Sequence, residues 1–138
     1  MKYTVLTAFA LCVSTLPALA SGDAASGEKL FNKCKSCHMI VEDDGSEIVK
    51  GGKTGPNLYG VIGRTAGSVD GFRYGGDLVA AGEAGLIWTE ETLAGYVKDP
   101  RGYLRETLAD GKAKSKMSFK LKKGGADVAA YLASISAN

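Results

Sequence analysis

The sequence predicts an all-α domain of three to five helices joined by long loops. Helix signals occur near the start of the domain, in its second half and at its end, in segments that follow Asp23, Thr89 and Gly125. From Asp43 to Leu86 the chain is rich in glycine and has neither helical nor strand periodicity. A compact domain rarely supports so long an irregular segment. This loop is therefore expected to pack around a large, rigid apolar group instead of packing on its own residues.

The first predicted helix runs from a cap at Asp23 to about Lys35. Aspartate is a favoured N-cap because its carboxylate accepts a hydrogen bond from a free backbone N–H of the first turn. Gly27, Phe31 and Cys34 have the spacing of residues on one helix face. These three residues are therefore expected on the same side of the helix.

The second half of the chain predicts further helices. Thr89 caps a helix with two glutamates in its first turn, where acidic groups favour the helix dipole, and Pro100 ends it. A short helix is expected from Arg101 to Asp110. The last helix follows two consecutive glycines and carries apolar residues at helical spacing, namely Val128, Tyr131, Leu132 and Ile135.

The first twenty residues have the pattern of a cleaved secretory signal peptide. Lys2 is followed by the apolar run "VLTAFALCVSTLPALA", and Ala18 to Ala20 form an A-x-A cleavage site before Ser21. The run is shorter than the roughly 20 residues that a bilayer requires. Residues 1–20 are therefore predicted to be removed, leaving residues 21–138 as one exported, soluble domain in the periplasm.

Once Cys12 leaves with the signal peptide, "CKSCH" holds both remaining cysteines, Cys34 and Cys37, and the chain's single histidine, His38. A structural zinc site needs four ligands, and the sequence has no second ligand cluster. A thioredoxin-like dithiol would follow a strand, whereas the preceding residues look helical. C-x-x-C-H is the signature of covalent haem attachment, in which two thiols hold the porphyrin and the histidine ligates the iron. A disulfide remains the alternative in an oxidising compartment.

If His38 ligates the iron on one side, the second axial ligand follows from counting. No other histidine exists, and Met1 leaves with the signal peptide. Met39 adjoins His38 and cannot reach the opposite face of the ring. Met117 remains, in the polar stretch "GKAKSKMSFK", where an apolar thioether is expected to point inward. The alternative for Met117 is an ordinary core methionine.

Several motifs then occur in a fixed order. These are "CKSCH", "TGPNLYG", "GR" at 63 to 64, "WTEETLAGYVKDP", "KSKMSF" and "DVAAYLASI". Together with the signal peptide they resemble a class I cytochrome c, most of all the bacterial cytochrome c2 group. The resemblance implies the class I cytochrome c fold, with loops wrapped round one covalently attached haem c. It also implies that the first and last helices cross, with Gly27 allowing close approach and Phe31 meeting Val128 and Tyr131.

The resemblance further assigns residues of the haem pocket. Pro56 matches the proline whose carbonyl accepts a hydrogen bond from the ligating histidine, although alone it would be a turn residue. Arg64, Tyr74 and Trp88 match positions that form hydrogen bonds to a buried haem propionate or neutralise its charge. The alternative for Trp88 is a role as an ordinary core residue, and both roles can hold. Tyr96 matches the tyrosine near the methionine sulfur. Phe119 matches the aromatic residue beside the exposed haem edge, or it is packing.

A haem iron with both His38 and Met117 bound has no open position, so the chain is expected to carry single electrons rather than catalyse a reaction. The segments after the haem motif and from Pro100 to Met117 are longer than in mitochondrial relatives. The alternative function is therefore a ligand-binding or peroxidase-like haem protein whose methionine dissociates readily. A donor subunit of a periplasmic sulfur- or nitrogen-oxide enzyme is a further possibility.

Charge is balanced overall but not regionally. The whole chain has 17 basic and 15 acidic residues, and near-zero net charge with no binding motif disfavours a nucleic-acid role. From Arg101 onward the chain has eight basic residues and only three acidic ones. Lysines flanking the haem-holding motifs are expected to form a docking ring, although they can also be a plain solvated surface. These are Lys33, Lys35, Lys112, Lys114, Lys116, Lys120, Lys122 and Lys123.

The resemblance implies partners for such a ring. A monomeric carrier would dock transiently on membrane redox complexes without entering the membrane. The donor would be a bc-type quinol-oxidising complex, and the acceptor a photosynthetic reaction centre or terminal oxidase. Electrostatic steering toward acidic faces would make the association fast and salt-sensitive.

Overall fold

The computed structural model describes residues 22–136, and the signal peptide predicted at 1–20 lies outside them. The fold is mainly helical, as predicted, with five α-helices and one short hairpin in this part of the chain. The elements are α1 (Ala24–Leu30), a 3-10 turn (Phe31–Lys33), β1 (Ile40–Val41), β2 (Glu47–Val49), α2 (Gly76–Glu83), α3 (Glu90–Lys98), α4 (Pro100–Thr107) and α5 (Gly125–Ser136). Over residues 22–136, no helix has both the length and the apolar character needed to cross a membrane.

Two of the predicted helix caps are confirmed. The carboxylate of Asp23 accepts hydrogen bonds from the N–H of Ala25 at 3.2 Å and the hydroxyl of Ser26 at 2.6 Å. Thr89 and Thr92 form a reciprocal capping box at the start of α3. The first predicted helix tightens into the 3-10 turn after Leu30, a common way for a helix to end.

The prediction that Pro100 ends the helix capped by Thr89 was incomplete. Helix α3 already ends at Lys98, and Pro100 is the first residue of α4. Asp99 caps α4 by accepting from the N–H of Gly102 at 3.3 Å. Proline suits a first helical position because its missing N–H would have no partner there.

The prediction that the segment from Asp43 to Leu86 has no regular structure is wrong in two places. Strand β2 lies in this segment and pairs antiparallel with β1, with a shift in register beside Ile40. Helix α2 also lies there, although it has no side-chain cap at its N-terminus. Both elements are too short for periodicity to reveal, and α2 is held by tertiary burial of Ala81 and Gly82.

Helices α1 and α5 cross as the resemblance implied. At Gly27 a Cβ would overlap the carbonyl group of Asp127, so only glycine permits this approach. The ring of Phe31 lies 5.8 Å from that of Tyr131, centroid to centroid, and Phe31 is 2% exposed. The crossing therefore places the 3-10 turn, and the CKSCH motif that follows it, against the core.

Candidate haem site

One cavity of about 390 Å³ brings all the predicted haem residues together. Its volume lies in the usual range for small-molecule and cofactor sites. The predicted residues that line it are Cys34, Cys37, His38, Pro56, Arg64, Tyr74, Trp88, Tyr96, Met117 and Phe119. They come from five separate stretches of the chain, so the fold collects them around one space.

The cysteine motif forms a single helical turn. The carbonyl of Cys34 accepts hydrogen bonds from the N–H of Cys37 at 3.1 Å and from the N–H of His38 at 3.0 Å. Cys34 is half-buried and burial raises the pKa of its thiol, whereas Cys37 is exposed. A hydrogen bond from Thr54, with a smaller one from Ser36, lowers the pKa of the Cys37 thiol. Both are free thiols in the described part of the chain.

The imidazole of His38 is oriented by Pro56. The ring Nδ1 lies 2.9 Å from the carbonyl oxygen of Pro56. Because a carbonyl only accepts, Nδ1 carries the hydrogen and Nε2 keeps its lone pair free for a metal. Burial lowers the pKa of His38, and the hydrogen bond to Pro56 opposes this only in part. The neutral, ligating form of the ring is therefore favoured.

The carbonyl of Pro56 is itself held in place by its neighbours. The side chain of Asn57 donates to the carbonyl of Val41 at 2.7 Å and accepts from the N–H of Val41 at 3.0 Å. On the other side of Pro56, a Cβ at Gly55 would overlap the His38 ring. Two hydrogen bonds of the Asn57 side-chain amide and the close approach of Gly55 to the ring thus fix the Pro56 carbonyl beside His38.

Met117 lies in the loop between α4 and α5 and packs against the core while remaining half-buried. Its backbone N–H donates to the hydroxyl of Ser115 at 3.1 Å. That hydroxyl also lies 3.1 Å from the hydroxyl of Tyr96, a residue that is 6% exposed. Tyr96 was predicted near the methionine sulfur, and its hydrogen bond reaches the methionine backbone through Ser115.

Arg64 is a half-buried cation on the wall of the cavity. Its guanidinium donates to the carbonyl of Asn57 at 3.0 Å and to that of Tyr59 at 3.2 Å. Burial lowers the pKa of Arg64. Tyr74 lines the same cavity, and burial raises the pKa of its phenol. A half-buried cation beside a phenol suits a carboxylate such as a haem propionate.

Aromatic rings close other parts of the cavity wall. The rings of Trp88 and Tyr96 lie 4.9 Å apart, and Trp88 is 6% exposed. Phe119 also lines the cavity but is 42% exposed. Trp88 and Tyr96 therefore shield the interior, while Phe119 lies where the cavity meets solvent.

All eight predicted docking lysines are exposed, but they differ in position. Lys33, Lys114 and Lys116 line the cavity, whereas Lys35, Lys112, Lys120, Lys122 and Lys123 do not. Within the part of the chain that the structure describes, two of their side chains have a partner. Lys120 pairs with Asp99 at 2.8 Å, and the Nζ of Lys116 donates to the carbonyl of Arg73 at 3.0 Å.

The donor set of this cavity fits a covalently attached haem. It combines two thiols on one turn, an imidazole with a free Nε2 and a thioether on a separate loop. Sequence reasoning missed the residues that hold these donors, chiefly Asn57, Thr54 and Ser115. Ser115 had a weak local signal, because a serine hydroxyl can accept a hydrogen bond from the backbone N–H two residues later, which here belongs to Met117. Asn57 had no local signal, because its partner Val41 lies 16 positions away in the sequence.

Comparison with known proteins gives consistent results over most of the chain. No family model matches. The sequence is 62% identical to cytochrome c-551 of Roseobacter denitrificans over 136 residues, covering 99% of this chain and 97% of that one. It is 61% identical to cytochrome c2 of Rhodobacter capsulatus, covering 98% and 97%.

Solved structures give the same result for the fold. The structure of cytochrome c2 from Rhodobacter capsulatus superimposes with a TM-score of 0.81 at 65% identity, covering 83% of this chain and 98% of that one. Ferric cytochrome c-550 from Paracoccus versutus gives a TM-score of 0.81 at 56% identity, with the same coverage of 83% and 98%.

Proposed function

This chain belongs to the class I cytochromes c, in the bacterial cytochrome c2 group, and on that premise we propose that it shuttles single electrons through the periplasm. The proposed donor is a bc-type quinol-oxidising complex, and the proposed acceptor a photosynthetic reaction centre or terminal oxidase. As a member of this family the chain is an electron carrier with one covalently attached haem c, and not an enzyme.

The observation that carries the proposal is the set of donors around one cavity. Cys34 and Cys37 would hold the haem through thioethers, and His38 and Met117 would be its axial ligands. When bound, the haem supplies a couple that gains or loses one electron. Pro56 fixes the direction of the His38 ring and raises its basicity. A thioether from Met117 favours the reduced state and so a high reduction potential.

Anchoring of the methionine loop supports a closed site over a ligand-binding or peroxidase-like one. Before Met117, the carbonyl of Ala113 accepts from the Nε of Arg105 at 3.3 Å. After Met117, the N–H of Leu121 donates to the carbonyl of Val97 at 2.7 Å. Together with Ser115, these bonds hold the loop on both sides of the proposed ligand. The length of the loop is therefore not a sign of a labile methionine.

The surface around the cavity supports docking on acidic partners. Lys33, Lys114 and Lys116 are exposed and line the same cavity as Phe119, and they derive from two distant parts of the chain. A concentration of positive charge near the group that transfers the electron would orient the carrier in the encounter complex. The interface would be small and short-lived, as transient redox encounters are.

Reduction by the proposed donor tests this function. The ferric holoprotein would be mixed with a purified bc-type complex and quinol, and its reduction followed by absorbance at rising ionic strength. We expect one electron per chain and a rate that falls steeply with salt. No reduction, or a rate that stays flat as salt rises, would contradict the proposed shuttle or its steering.

A further inference from the structure

The loop that carries Met117 makes a hydrogen bond to a distant carboxylate. The backbone N–H of Lys114 donates to Oδ2 of Asp77 at 2.7 Å, across 37 positions of sequence. Asp77 lies in the first turn of α2, and Lys114 lies three residues before Met117. This is a short, charge-assisted bond to the backbone itself.

Helix α2 is a firm base for this contact. Ala81 is 0% exposed, and Gly82 packs so closely on the carbonyl of Ala66 that a Cβ would overlap it. Leu78, next to Asp77, lines the cavity. Packing of α2 on the core therefore fixes the backbone at Asp77, and the short Asp77 side chain joins that backbone to the loop.

A second hydrogen bond joins the loop to the residues just before α2, but it constrains the loop less. The Nζ of Lys116 reaches the carbonyl of Arg73 at 3.0 Å. That bond ends on a long, exposed lysine side chain, which keeps much of its rotamer freedom and constrains the backbone little. Asp77 is short and accepts directly from the main chain, so it fixes the loop more tightly.

We propose that Asp77 is a positioning residue for Met117: by holding the backbone of Lys114 against α2, it keeps the thioether in the cavity and protects the iron from competing ligands. The inference rests on the proposed ligation by Met117. Without the bond, the segment before Met117 can move away from α2, and the state in which Met117 is displaced becomes more populated. An added ligand that binds only that state then binds more tightly overall.

Imidazole binding to the ferric holoprotein measures this displaced state. In Asp77→Ala, which removes the acceptor, we expect imidazole to bind about tenfold more tightly than in the wild type, the scale of one charge-assisted hydrogen bond. Asp77→Asn keeps an acceptor oxygen without the charge and should fall between the two. Glu83→Gln removes a charge from the other end of α2 and should bind imidazole like the wild type.

Two further readouts separate this inference from the proposed ligation. The red methionine-to-iron band of the wild type reports ligation before any variant is made. Exchange of the Lys114 amide hydrogen, followed by NMR, reports the bond to Asp77 and should quicken in Asp77→Ala but not in Glu83→Gln. Equal imidazole affinity in Asp77→Ala and the wild type, with the red band present in the wild type, would overturn the proposal, as would unchanged Lys114 exchange.

Discussion

The hydroxyl oxygens of Tyr96 and Ser115 lie 3.1 Å apart, and the same serine oxygen accepts from the backbone N–H of Met117 at 3.1 Å. A buried side chain on α3 is thereby connected to the backbone of the proposed iron ligand through one hydroxyl. Tyr96 in turn packs on Trp88, with ring centroids 4.9 Å apart. The position of Met117 is thus coupled to the aromatic wall of the cavity.

Removing that hydroxyl should destabilise the protein. In Ser115→Ala the Met117 N–H and the buried Tyr96 hydroxyl both lose a partner, and an unsatisfied buried polar group costs about 1–3 kcal/mol. We expect a fall of that size in the free energy of unfolding of the holoprotein, measured by denaturant titration. Ser118→Ala, which changes an exposed serine on the other side of Met117, is the matched control. Equal effects of the two substitutions would show that the hydroxyl network contributes nothing specific.

The crossing of α1 and α5 should not tolerate a side chain at Gly27. A Cβ there would overlap the Asp127 carbonyl, and overpacking of this kind costs about 1–3 kcal/mol. Gly27→Ala is therefore expected to lower the free energy of unfolding even though alanine is the better helix former. Gly111→Ala, at a glycine with open space around its Cβ position, should leave it nearly unchanged. A Gly27→Ala variant as stable as the wild type would mean that the helices are not in close contact.

The effect of a lysine on the rate of reduction by the bc-type complex should depend on where the lysine lies, and not only on its charge. Lys33 lines the cavity, whereas Lys29, one turn earlier in the sequence, is exposed but does not line it. Lys33→Glu should slow reduction by the bc-type complex roughly tenfold at low ionic strength, and Lys29→Glu much less. The difference should vanish at high salt. Similar slowing by both substitutions would indicate that only net charge steers the encounter.

Acid should weaken the contact between α4 and the methionine loop. Hydrogen bonding to Lys120, and then to the N–H of Gly102, lowers the pKa of Asp99 below its ordinary value of 3.8. The charged carboxylate therefore stabilises the fold above about pH 4, and that contribution is lost as the pH falls through the lower, folded-state pKa.

Asp99→Asn isolates this contribution because asparagine still caps a helix but carries no charge. Its free energy of unfolding should lie below that of the wild type at pH 7, and the gap should narrow below about pH 4. Asp70→Asn, at another exposed carboxylate, serves as the charge control. A gap that stays constant with pH would rule out the carboxylate as its source.

Much of the site was predictable because covalent and ligand chemistry constrains residue type and spacing. The motif "CKSCH" and the shortage of histidine and methionine were enough to predict Cys34, Cys37, His38 and Met117. The helix caps at Asp23 and Thr89 were predictable because they depend on local backbone geometry. These predictions need no knowledge of distant contacts.

Residues whose role depends on distant contacts were not predictable in this way. Helix α2 begins without a side-chain cap, and its stability comes from burial of Ala81 and Gly82. Asn57 and Asp77 act on backbone groups 16 and 37 positions away. Nothing in a short window of sequence distinguishes them from turn or surface residues, so only the fold shows what they hold.

Ligation of the haem iron by Met117 can be read from the absorption spectrum of the ferric holoprotein. The wild-type holoprotein at neutral pH should show the weak red band of methionine-to-iron charge transfer. The band should disappear in Met117→Leu and persist in Met39→Leu, which makes the same change beside His38. A wild-type spectrum without the band, or a band that survives Met117→Leu, would show that Met117 does not ligate the iron.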